Sequence, residues 1–154
     1  MPSYLGKVGS GGRRGCPARI SGVKILLVSA DPKVRETMAL TVRSVQRAAG
    51  PVEPVQFLEA SNGERGISLA WRHLPKIVVA DEIASRAGAF ALARELKGAA
   101  PPFPGKIVIL LERSQDSWLA AWSGADAWFV KLVNPFELAE TVSGFLDASQ
   151  KEAV

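Results

Sequence analysis

Five short apolar runs recur along the chain, separated by stretches with helical periodicity. Lys24 to Val28 is the first (Lys-Ile-Leu-Leu-Val), and Val55 to Leu58 the second. Ile77 to Ala80 is the third, Lys106 to Leu111 the fourth and Ala127 to Val130 the fifth. Apart from the second, which Gln56 interrupts, these apolar runs are unbroken and read as strands buried on both faces. Between them, apolar residues return every three or four positions. Val34, Met38, Val42 and Val45 predict a helix from about Lys33 to Arg47, with Pro32 in its first turn and Asp31 as its cap. Ile67, Leu69, Ala70 and Leu74 mark the inner side of a helix over Glu64 to His73, after a Ser61-Asn62-Gly63 turn. Phe90, Leu92, Ala93 and Leu96 mark a third, over Ala87 to Leu96. Gln115 to Ser123, with Trp118, Leu119 and Trp122, is a short fourth. Leu138, Val142, Phe145 and Leu146 define the last, from Phe136 to Asp147.

Strands alternating with helices predict a parallel sheet covered on both faces. Right-handed crossovers leave few topologies. The expected architecture is an α/β, flavodoxin-like (βα)5 three-layer sandwich, with a five-stranded parallel sheet in the order 2-1-3-4-5. In that order strands 1 and 3 are neighbours, and strand 5 lies on the same side, beyond strand 4. Their carboxyl ends carry Ser29-Ala30-Asp31, Asp81 and Lys131, which would meet at the topological switch point. Asp81, directly after the third run, has two readings at this stage: a helix cap or a chemical group at the sheet edge.

The length of 154 residues suits one domain, and 47% hydrophobic with 22% charged residues suits a packed core. The expected division is a flexible, basic, Gly-rich tail over 1–22, a folded domain over 23–148 and a short tail over 149–154. The net charge of +4 resides in the first tail, where Lys7, Arg13, Arg14 and Arg19 stand without an acid. The other 132 residues carry 15 basic and 15 acidic groups. That balance gives no basic surplus for nucleic acid. One cysteine, Cys16, excludes an internal disulfide and a cysteine-based zinc site. No run approaches the roughly 18 apolar residues of a membrane span, and the N-terminus lacks the apolar core of a signal peptide. A cytoplasmic protein without a membrane segment is expected.

Four local features resemble the receiver domain of bacterial two-component response regulators, over about Val23 to Asp147. Ile25 to Pro32 resembles the family's first strand and acidic turn. Glu59-Ala60-Ser61-Asn62-Gly63-Glu64 is similar to its second strand and turn. Pro75 to Asp81 resembles the strand that ends on the phosphoacceptor aspartate. Gly124 to Lys131, with Asn134-Pro135-Phe136-Glu137-Leu138, resembles the stretch holding the family's lysine. The resemblance implies that Asp81 accepts a phosphoryl group and that Lys131 contacts it. It implies a Mg²⁺ ion held by Asp81, an acidic pair after the first strand and the carbonyl of Ile83.

Several positions depart from the family pattern. Ser29 and Ala30 stand where the acidic pair is expected, leaving Asp31 as the candidate acid to join Asp81 and the Ile83 carbonyl at the metal. Mg²⁺ is therefore expected to bind weakly or not at all. Glu112 stands where a switch hydroxyl is expected, and Trp128 takes the aromatic switch position. Leu132 replaces a proline after the lysine, and Ser85-Arg86-Ala87 lacks another. An ionised Glu112 cannot donate a hydrogen bond and would oppose a phosphoryl charge; pairing it with Lys131 is one hypothesis. This is the pattern of an atypical or pseudo-receiver.

No effector or DNA-binding module is expected after the last helix. The implied role is a stand-alone signalling protein of a phosphorelay, not an enzyme, that acts by binding. Its partner would be a sensor histidine kinase, another signalling protein or a second copy through helix 4, strand 5 and helix 5. Trp118, Trp122 and Trp128 fall in that region and are the candidate contact residues. A phosphorylation-independent scaffold is the alternative. A flavodoxin-like enzyme or nucleotide binder is remote, because no glycine-rich phosphate loop is present.

Overall fold

The computed structural model of the chain describes residues 23–49, 54–81, 88–130, 137–138 and 140–146, with only the backbone for 45–49. Both tails, the backbone ligand at Ile83 and the lysine at Lys131 lie outside these residues. Five strands form one parallel sheet: β1 (Val23–Val28), β2 (Val55–Ala60), β3 (Ile77–Asp81), β4 (Lys106–Leu111) and β5 (Ala127–Val130). Their order is β2-β1-β3-β4-β5, the expected 2-1-3-4-5. The helices are α1 (Pro32–Ala49), α2 (Gly63–His73), α3 (Ala89–Lys97) and α4 (Ser117–Ser123). Residues 137–138 and 140–146 form the described part of the last helix, α5.

The strands alternate their side chains between two cores, because successive residues of a strand face opposite ways. Ile25, Leu27, Ile77, Val79, Val108 and Leu110 pack with Met38 and Val42 of α1 and Leu138, Val142 and Leu146 of α5. Leu26, Val28, Val78, Ala80, Ile107 and Ile109 pack with Ala70 of α2, Leu92 and Leu96 of α3 and Ala120 of α4. Two helices therefore cover one face and three the other.

Several local expectations need correction. Leu74 is not on an inner helix face; it is 54% exposed and caps the C-terminus of α2 in the left-handed region, φ 49. Ala70 is on the inner side as expected, with Ile67 and Leu69 half-buried against the same core, and the closest approach is made by Gly63 and Gly66. Small residues let this helix lie close to the sheet and to α3. A Cβ on Gly66 would stand 2.9 Å from both Leu92 Cδ1 and Val28 Cγ2. The fourth helix opens with a 3-10 turn, Ser114–Asp116, before α4 proper. Trp118 and Trp122, the candidate contact residues, are 65% and 54% exposed, as a contact surface requires, while Ala120 and Ser123 are buried. Periodicity alone cannot decide which face of a seven-residue helix turns inward.

Candidate functional site

The site begins with the register of four strands. Val28 pairs with Ala80 and also with Ala60, and Asp81 pairs with Leu110. Ser29 thus leaves the sheet beside Asp81, at the carboxyl edge where strand order reverses. Asp81 is the last residue of β3 and is 1% exposed. The capping alternative for Asp81 does not hold for α3, whose N-cap is Gly88. A buried carboxylate demands polar partners, since uncompensated burial of charge is costly. One partner is the Ser29 hydroxyl, which donates to Asp81 Oδ2 at 3.0 Å.

Ser29 is itself completely buried. Its backbone N–H donates to the Ala60 carbonyl at 3.0 Å, tying the β1 end to β2. Its Oγ also accepts the backbone N–H of Asp31 at 3.1 Å. Its carbonyl accepts Nη1 of Arg35 from α1. Arg35 reaches back because it lies one helical turn beyond Asp31, facing the strand ends. Its Nε donates to Glu59 Oε1 of β2 at 2.7 Å. Neither Arg35 nor Glu59 drew a role from the sequence. The available signal was a basic residue one turn past the helix cap and an acid near the end of the adjacent strand.

Asp31 is exposed and caps α1: its Oδ1 accepts the Lys33 N–H at 2.9 Å. Ala30 is exposed and contributes only a methyl group. Glu112 is exposed, one residue past β4. Trp128 on β5 is half-buried and packs against the core shared with α3 and α4. Trp118 and Trp122 lie on the solvent side of α4. The Trp122 ring carries the Arg94 guanidinium 4.6 Å from its centroid, joining α4 to α3.

A Mg²⁺ ion needs several oxygen acceptors in near-octahedral order. The described residues do not fit that demand. The Ser29 hydroxyl spends its proton on Asp81 and a lone pair on Asp31 N–H, Ala30 has no ligand, and Asp31 Oδ1 serves the helix. Among the described residues there is no group of three His, Cys, Asp or Glu side chains placed to hold a metal.

No family model matches the chain. An uncharacterized response regulatory protein of Mycobacterium tuberculosis is 29% identical over 133 residues, covering 86% of this chain and 97% of the relative. A CheY-like response regulator receiver domain protein from Methanospirillum hungatei superimposes with a TM-score of 0.69 at 20% identity, covering 86% of this chain and 99% of that one. The receiver domain of a sensor histidine kinase from Pseudomonas aeruginosa, with a magnesium ion coordinated in its active site cleft, gives 0.68 at 16% identity, over 82% and 98%. The fold is the flavodoxin-like receiver fold. In sequence the chain resembles response regulatory proteins across most of its length.

Proposed function

We propose that the chain is a receiver-like signalling protein of a two-component phosphorelay, with Asp81 as phosphoacceptor. One observation carries the reading: a buried carboxylate ends the central strand at the topological switch point of a receiver fold. An Asp81 oxygen would attack the phosphorus of a phosphohistidine or a small phosphodonor. A P–O bond to the carboxylate forms as the bond to the leaving group breaks, giving an acyl phosphate. Positioning and charge neutralisation dominate such transfers. Lys131, outside the described residues, is the cation assigned to the phosphoryl oxygens, with Glu112 and Trp128 at altered switch positions. Ser29, Ala30 and Asp31 are poor ligands for Mg²⁺.

The output is binding to a sensor kinase, to another signalling protein or to a second copy through α4, β5 and α5. The exposed Trp118 and Trp122 supply the rigid aromatic area that interface centres favour. Among the described residues no helix is long and apolar enough to cross a membrane. Cytoplasmic placement follows from the proposed kinase partnership.

A phosphorylation-independent scaffold is the second reading, favoured by the Ser29 hydroxyl bonded to the acceptor carboxylate in place of an acidic pair. Intact-mass analysis after acetyl phosphate or phosphoramidate, with and without Mg²⁺, separates the two. A phosphoryl adduct in the wild type that disappears in Asp81→Asn supports the receiver reading. No adduct under either condition, with partner binding unchanged in Asp81→Asn, supports the scaffold.

A further inference from the structure

The geometry points to Arg35 and Glu59 as positioning residues of the Asp81 pocket, acting through Ser29. The inference rests on the reading of Asp81 as the group the pocket serves. The polar groups of Ser29 that bear on its placement each have a partner. Its N–H is held by Ala60, its carbonyl by Arg35, and its Oγ accepts from Asp31 N–H. A hydroxyl has one proton to give. With the N–H of Asp31 already approaching Oγ, that proton is directed to Asp81 Oδ2.

The arginine is what makes this arrangement specific. A guanidinium is a rigid planar fork that can bridge two acceptors at fixed separation. Here one prong, Nε, is anchored by Glu59 on β2, and the other, Nη1, holds the Ser29 carbonyl. The second prong serves neither helix nor sheet; it fixes the peptide that leads out of β1. A role confined to tying α1 onto β2 would need the Glu59 contact alone. The chain Glu59–Arg35–Ser29–Asp81 therefore delivers a fixed proton donor to an oxygen where the resembled site uses a cation. The acceptor is oriented by a hydroxyl held in place by the scaffold.

The test uses the full chain, isotopically labelled, at one pH, without metal or phosphodonor. The readouts are the side-chain carboxyl carbon resonance of Asp81 and the Ser29 hydroxyl proton. Ser29→Ala should move the Asp81 resonance. Arg35→Met should produce most of that shift and lose the hydroxyl signal by exchange with water. Arg35→Lys should resemble Arg35→Met, because an ammonium cannot bridge both acceptors in the same plane. Glu59→Gln should stay near wild type, since its amide oxygen still accepts from Nε. Combining Ser29→Ala with Arg35→Met should add nothing to Ser29→Ala alone. The inference is overturned if Ser29→Ala moves nothing, if Arg35→Met leaves Asp81 at its wild-type position, or if the two effects add. Should Arg35→Met fail to fold, Glu59→Ala at an exposed position decides, with a shift of the same sign expected and no shift overturning the proposal. Because no phosphodonor is used, failure of Asp81 to become phosphorylated would refute the receiver reading and leave this result standing.

Discussion

Ser29 and Asp81, 52 residues apart in sequence, meet at 3.0 Å across two neighbouring strand ends, the hydroxyl donating to the carboxylate. That contact places a proton donor where two acids would be needed to hold a divalent cation. Replacing Ser29 and Ala30 together by aspartate supplies those acids. Without metal the variant should lose stability, because buried like charges repel. With Mg²⁺ or Mn²⁺ it should recover, as a ligand that binds only the folded state stabilises it. Mn²⁺ affinity by electron paramagnetic resonance should rise about tenfold or more, reflecting the oxygen ligands gained. A variant whose Mn²⁺ affinity and melting temperature ignore the added acids would show that the pocket is shaped against a cation.

Gly66 lies where α2 meets β1 and α3. Its substitution by alanine sets two opposed effects against each other. Helix propensity favours alanine by about 1 kcal/mol. The new Cβ, 2.9 Å from Leu92 Cδ1 and Val28 Cγ2, forces two fully buried side chains to move. Overpacking of that kind costs about 1–3 kcal/mol. Gly66→Ala should therefore destabilise in denaturant titration, and a stabilised protein would mean the α2–α3 spacing is soft.

Leu74 should respond in the opposite direction. Its left-handed backbone, φ 49, carries a steric cost, and its side chain is more than half exposed, so little packing is lost on removal. Pro75 follows and further restricts it. Leu74→Gly should stabilise by about 0.5–1 kcal/mol, the relief of the left-handed strain exceeding the entropy of the added glycine. Thermal unfolding reads this directly, and an unchanged or lower midpoint would contradict it.

Asp126 ties the opposite edge of the sheet. Its Oδ2 accepts the Ile107 N–H at 2.8 Å and lies 3.2 Å from Lys97 Nζ. Asp126→Ala leaves the N–H of a fully buried residue without its acceptor, at about 1–3 kcal/mol. Asp126→Asn keeps an acceptor and loses only a partly exposed ion pair, at about 1 kcal/mol or less. Equal losses from the two substitutions would shift the credit from the hydrogen bond to the charge.

The strands and their order were determined by the sequence itself. Ile77 to Ala80 and Lys106 to Leu111 are apolar on both faces, which only a covered parallel sheet accommodates. That order in turn placed Ser29 and Asp81 on one edge, so the candidate site was legible before any coordinate. What tertiary structure decided was direction and closeness. The short helix α4 carries aromatic and small residues on different sides, and only packing showed that Ala120 and Ser123 turn inward while Trp118 and Trp122 turn out. Gly66 has no side chain to betray its place against Leu92 and Val28. Arg35 and Glu59 read as ordinary surface charges, because a salt bridge between residues 24 apart has no local period. Their role emerged when parallel register brought the β1 and β2 ends together beneath α1. Hydrophobic patterning reports burial by element; it is silent on which polar groups the fold brings within about 3 Å of one another, and the chemistry proposed for Asp81 depends on those.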